Sequence, residues 1–110
     1  MASIDIPAKV KESVLSVAPD ADVILYGSRV RGVFDPDSDW DFLVLCANGE
    51  DRAVKNAIHD AVIDLEFEIG PLCDTWPSIS VFVHSREYWS RGVIRATPYH
   101  REVSRDGKRL

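Results

Sequence analysis

Between residues 22 and 46 the chain is built to make two strands that share a polar end. Val23-Ile24-Leu25-Tyr26 is a short, apolar, β-branched run of the kind that forms a buried strand. It stops at Gly27-Ser28, and the next apolar run, Trp40-Asp41-Phe42-Leu43-Val44-Leu45, carries Asp41 within it and Asp39 just before it. Gly27 lacks the Cβ that would forbid an unusual dihedral or a close backbone approach. Ser28-Arg29-Val30 reads as the opening of a short helix, whose first N–H groups have no intrahelical acceptor and present a positive dipole end to an anion. Ser28 adds a hydroxyl, Arg29 and Arg31 add cationic donors, and Gly32 closes the segment. By itself a Gly-Ser pair is more often an ordinary turn.

The aspartates sharpen that reading. Strand residues two apart project to one face, so Asp39 and Asp41 are expected together, with Trp40, Phe42 and Val44 on the other side. Two adjacent carboxylates on an apolar strand repel one another and are costly without a counter-ion. A hard divalent cation, Mg²⁺ or Mn²⁺, resolves this, because it takes carboxylate and phosphate oxygens together. The plainer alternative is a solvated strand end, or caps for the turn at Asp35-Pro36-Asp37-Ser38. The Gly-Ser turn eleven positions before Asp39, with a strand on either side, favours the cation.

Gly27-Ser28-Arg29-Val30-Arg31-Gly32 followed by Ser38-Asp39-Trp40-Asp41 resembles the signature of the nucleotidyltransferase superfamily that includes DNA polymerase beta. Within it the chain is similar to the small stand-alone members called minimal nucleotidyltransferases, including its ending through Ile79–His84, Ser85-Arg86-Glu87-Tyr88-Trp89 and Thr97-Pro98-Tyr99. The resemblance implies that Asp39 and Asp41 are catalytic and ligate Mg²⁺, and that Gly27, Ser28, Arg29 and Arg31 contact an NTP, expected to be ATP. Cations so held stabilise the attacking and leaving oxygens of an in-line displacement.

One departure matters. Family members usually bring a third carboxylate from a later strand, and Ile79-Ser80-Val81-Phe82-Val83 has Ser80 at that place. Asp74 lies in the preceding loop. Asp64, Glu66 and Glu68 alternate as if on a strand, but over a longer window Val54, Ala57, Ile58, Ala61, Val62, Leu65 and Ile69 recur at helical spacing. A helix ended by Gly70-Pro71 is therefore expected, with those acids on its solvated face. No third acid is expected.

The remaining elements fit one domain over residues 1–110. A first helix is expected from about Pro7 to Val17 with Asp5 as cap, then strand Asp22–Tyr26, the short helix, strand Trp40–Cys46, a helix from about Asp51 to Ile69, strand Ile79–His84, and a last helix opened by Thr97-Pro98 and ended by Gly107. This is an α/β (α+β) arrangement of a small mixed sheet flanked by helices, the nucleotidyltransferase fold. Cys46 and Cys73 lack metal-type spacing, no apolar run reaches the ~20 residues of a membrane span, and no signal-peptide pattern opens the chain. A cytoplasmic protein with reduced thiols is expected.

Charge is uneven. The net charge is −5, with six Lys/Arg against fifteen Asp/Glu up to residue 84 and seven against three beyond it. An acidic body argues against a surface for extended nucleic acid, and the basic tail is expected to pair with that body. His59, His84 and His100, like Trp76, Tyr88, Trp89 and Tyr99, read as structural or solvated residues.

Two functions stay open at this point. One is Mg²⁺-dependent transfer of a nucleoside monophosphate to a hydroxyl of a protein or small-molecule acceptor; the resemblance implies an antitoxin role beside a small helical partner of the HEPN type. The other is a degenerate module that binds nucleotide, or masks a partner, without turnover. A homodimer, the acceptor and the NTP preference are left open by the sequence.

Overall fold

The computed structural model describes residues 4–110; residues 1–3 of the expected domain lie outside the described residues. Helix α1 (Ile6–Val17) begins where the Asp5 carboxylate accepts the Ala8 N–H, with Pro7 in its first turn. Strand β1 (Asp22–Tyr26) leads into the one-turn helix α2 (Ser28–Arg31), and strand β2 (Trp40–Cys46) follows a loop. Helix α3 (Arg52–Ile69) is capped by Asp51, whose side chain accepts the Ala53 N–H. Gly70–Leu72 tightens into a 3₁₀ turn, and strand β3 (Ile79–Ser85) runs one residue past the expected end.

Beyond the 3₁₀ turns at Gly70–Leu72 and Val93–Ala96, a helix and a strand were not expected from the sequence. Helix α4 (Arg86–Arg91) is capped by Ser85, which accepts the Tyr88 N–H, and the two-residue strand β4 (Lys108–Arg109) ends the chain after helix α5 (Pro98–Asp106). Thr97 caps α5 by accepting the His100 N–H, as its place before Pro98 predicts.

The sheet order is β3-β2-β1-β4. β1 is antiparallel to β2 and β4, while β2 and β3 are parallel. A parallel pair needs a crossover, and α3 supplies it. Phe42 to Cys46 are buried without interruption, as befits a central strand covered on both faces. On one face α1 and α3 pack Val10, Val14, Ile58, Val62 and Leu65 against Phe42 and Val44. On the other, Tyr26, Leu43 and Leu45 meet Val103 of α5, with Trp89 and Tyr99 at the margin.

The basic tail is tied to the acidic body. Arg86 pairs with Asp20 and Asp22, and Arg109 reaches Asp22 at 2.6 Å. These exposed pairs contribute little energy individually.

Candidate active site

The site is assembled at the end of β2 by strand register. Asp41 stands opposite Tyr26 of β1 on one side and Ser80 of β3 on the other. Gly27, the residue after Tyr26, adopts φ +84°, ψ −158° before α2 begins, a conformation in which a side chain is strained. A Cβ on Gly27 would stand 2.6 Å from Asp41 Oδ2. The glycine therefore opens the space in front of that oxygen as well as making the turn.

Asp41 is half-buried. Burial first, then the charges of Asp39 and Glu102, push its carboxyl above the usual range, with Arg31 pulling the other way. Among the described residues no hydrogen bond to the carboxylate offsets this. Asp39 is exposed and sits just before β2, so the pair expected on one strand has one member on the strand and the other on its approach. The loop before it closes without either aspartate. Asp35 Oδ1 accepts the Asp37 N–H, the Asp35 carbonyl accepts the Ser38 N–H, and Ser38 Oγ accepts the Asp35 N–H. The turn-capping alternative is therefore met by Asp35 and Ser38.

Of the two arginines on α2, only one is brought to the pair. Residues two apart on a helix point about 200° apart, so one turn cannot aim both at one ligand. Arg31 turns toward α5 and pairs with Glu102, Nη1 to Oε1 at 2.7 Å. Arg29, expected at the phosphates, has its guanidinium 4.1 Å above the Trp40 ring and 4.6 Å from that of Phe34. From there it donates to the carbonyls of Ser38 and Pro36. Arg29 thus fastens the loop that delivers Asp39.

The other acids stay apart. Asp64 and Glu68 are exposed on α3 and Glu66 is half-buried there, all on the helix that covers the opposite sheet face. Glu102 was not singled out from the sequence, because only the packing of α5 on the sheet brings it here. Tyr99, one turn before it, has a buried hydroxyl without a hydrogen-bond partner among the described residues. Its phenol is raised well above the ordinary value by burial, by the nearby Tyr26 hydroxyl, and by the charges of Asp41 and Glu102.

The donor set fits a hard divalent cation. Asp39 and Asp41 offer anionic oxygens only, the Gly27 opening adjoins Oδ2, and the half-buried Asp41 charge has no compensating hydrogen bond among the described residues. Among the described residues no group of three or more His, Cys, Asp or Glu is placed to hold a metal. A ligand such as phosphate has to complete the shell.

Residues 7–90 match the family described as nucleotidyltransferase domain. The fold is similar to the crystal structure of a candidate nucleotidyltransferase, with TM-score 0.61 and 21% identity over 97% of this chain and 99% of that one. It is also similar to a chain of a toxin–antitoxin structure with AMP-PNP, with TM-score 0.53 and 19% identity over 93% of this chain and 69% of that one. No curated protein sequence matches the chain significantly. No helix among the described residues is long and apolar enough to cross a membrane.

Proposed function

The chain belongs to the nucleotidyltransferase domain family, and from that premise we propose that it transfers AMP from ATP to a hydroxyl of a protein or small-molecule acceptor. The acceptor oxygen bonds to the α-phosphorus as the bond to pyrophosphate breaks, and the hydroxyl proton is released. The observation that carries this reading is Asp41, half-buried between Tyr26 and Ser80 and facing the opening that Gly27 leaves.

Asp39 and Asp41 are the residues that would hold Mg²⁺ or Mn²⁺, and the cation would neutralise charge on the reacting phosphates. Gly27 admits the triphosphate close to the backbone, and Ser28 offers its hydroxyl there. Arg31 supplies a cation on the Asp41 side, while Arg29 acts by fixing the Asp39 loop. Residues 1–110 are read as one domain working in the cytoplasm.

The nucleotide-bound toxin–antitoxin neighbour supports ATP as donor and a partner protein as acceptor, a HEPN-type toxin in this reading. One observation favours a second reading: Ser80, not an acid, stands beside Asp41 on β3. On that reading the protein binds nucleotide or masks its partner, alone or as a homodimer, without turnover.

Calorimetric titration of ATP with Mg²⁺ into the wild type and an Asp39→Asn/Asp41→Asn variant tests the site. Binding is expected in the wild type only, and folded wild type that binds no NTP would remove the proposal. Label from α-labelled ATP appearing on a co-purified partner separates transfer from masking.

A further inference from the structure

Strand β3 lies at the edge of the sheet, with β2 on one side and no strand on the other among the described residues. The phase of its ladder decides which backbone groups are left over. Trp40 donates its N–H to the Ser78 carbonyl at 2.9 Å, and in a parallel pair alternate residues turn both backbone groups to the same side. Ser80, Phe82 and His84 therefore bond to β2, while Ile79, Val81, Val83 and Ser85 point theirs outward. The outer contacts agree with that phase. The Ser85 N–H donates to Glu50 Oε2 at 2.6 Å, the Val83 carbonyl accepts from Lys55 Nζ, and the Ile79 N–H faces the Glu66 carboxyl.

Charged side chains thus cover both ends of this edge, a common defence against unwanted strand pairing. Its middle is bare. Among the described residues the Ile79 carbonyl, both backbone groups of Val81 and the Val83 N–H have no partner. These four groups form a row that another extended backbone matches in full. The same stretch carries Phe82, half-exposed on the Asp41 face with its ring centroid 5.6 Å from that of Tyr99, where an added strand would cover it.

Alternation fixes what such a strand presents. The residue opposite Val81 shares the Val81 face, which packs on α1 and α3, and its two neighbours turn to the face that carries Ser80 and Asp41. The neighbour beside Ser80 starts two strand spacings from Asp41, about 9.6 Å, with the short Ser80 side chain between them. A hydroxyl at the end of a long side chain crosses that gap while its backbone stays on the edge. Resting on the transfer reading above, we infer that the middle of the β3 edge docks the acceptor: an extended segment of a partner protein adds to the sheet as a fifth strand, its backbone on Val81 and one side chain directed over Ser80 toward Asp41. Cationic ends suit that segment, because up to residue 84 the chain carries six Lys/Arg against fifteen Asp/Glu.

The test follows the backbone amide resonances of the whole chain as the peptide Ac-Lys-Tyr-Val-Tyr-Lys-NH₂ is added to millimolar concentration. Shifts centred on Val81 and Val83 are expected. N-methylation of the central valine removes the donor that the Val81 carbonyl would accept, and should weaken binding about tenfold. Val81→Pro makes the matching change in the protein. It deletes an N–H that points away from β2, the place where an edge strand tolerates proline, and should weaken binding likewise; the methylated peptide reads the same ladder without altering the fold. Equal binding of the two peptides, shifts away from the β3 edge, or no shift at all would overturn the inference. Edge shifts that grow with protein concentration alone, with a dimer's mass in light scattering, would overturn it too, because the edge would then belong to a second copy. Calorimetric titration of ATP stays a separate test: its failure removes the transfer reading, and the acceptor role with it, whatever the peptide does.

Discussion

Gly27 and Asp41 are matched so closely that a β-carbon on the first would lie 2.6 Å from Oδ2 of the second. Gly27 also has φ +84°, so Gly27→Ala meets backbone strain and a carboxylate at once. The expected cost is about 1–3 kcal/mol, with loss of Mg²⁺-dependent ATP binding in calorimetry. Gly32→Ala is the control. Gly32 has φ +77° but nothing within 4 Å of an added Cβ, so it should lower the melting temperature and leave ATP binding intact.

The raised Asp41 carboxyl sets a pH dependence. Its proton is bound more tightly in the fold than in the unfolded chain. The stability this contributes is full in acid and is lost as pH climbs from the ordinary carboxylate value of ~4 through the raised one. Asp41→Asn removes that loss. Without metal at pH 7 the variant should be the more stable, by no more than about 1 kcal/mol because water screens a half-buried group. Melting curves should converge as pH falls below about 4, and Mg²⁺ should stabilise the wild type alone.

Arg29 gives a prediction about geometry in place of charge. Its guanidinium donates to two carbonyls of the loop and packs over Trp40, which a lysine ammonium cannot reproduce. Arg29→Lys and Arg29→Ala should therefore behave alike, each losing about 1–2 kcal/mol. Both should weaken Mn²⁺ binding by loosening the approach to Asp39. Full rescue by lysine would instead make Arg29 a simple phosphate cation.

What the sequence made legible was local. The caps at Asp5 and Thr97, the apolar runs at 23–26 and 40–46, and the helical spacing from Val54 to Ile69 each act within a few residues, and each element forms where it was expected. The opening at Gly27 and the alternation that sends Phe42 and Leu43 to opposite faces followed from the same patterns, whereas Ser80 was placed near the aspartates by the family resemblance and its register with Asp41 is seen only in the fold. The arginines were not separable, because what decides between them is which neighbour lies across each side of α2. Trp40 captures one and Glu102, 71 residues further on, captures the other. Strand β4 has no apolar pattern; Lys108 and Arg109 are strand only because β1 has a free edge to pair with.

Ser80 tests whether the fold can accept one more acid. It faces Asp41 across a parallel pair of strands, about 4.8 Å apart along the hydrogen-bonding direction. In Ser80→Asp two carboxylates stand side by side on the half-exposed end of the sheet, and with metal chelated the repulsion should cost about 1 kcal/mol. A divalent cation reverses the sign, since anything that binds the folded state alone stabilises it. The variant should thus melt below the wild type in EDTA and gain more than the wild type on adding Mn²⁺. If its gain is no larger, the cation is not held on the β3 side of Asp41. A larger gain with faster transfer from α-labelled ATP would show that the serine limits turnover in the natural chain, and that the scaffold around Asp39 and Asp41 is otherwise competent.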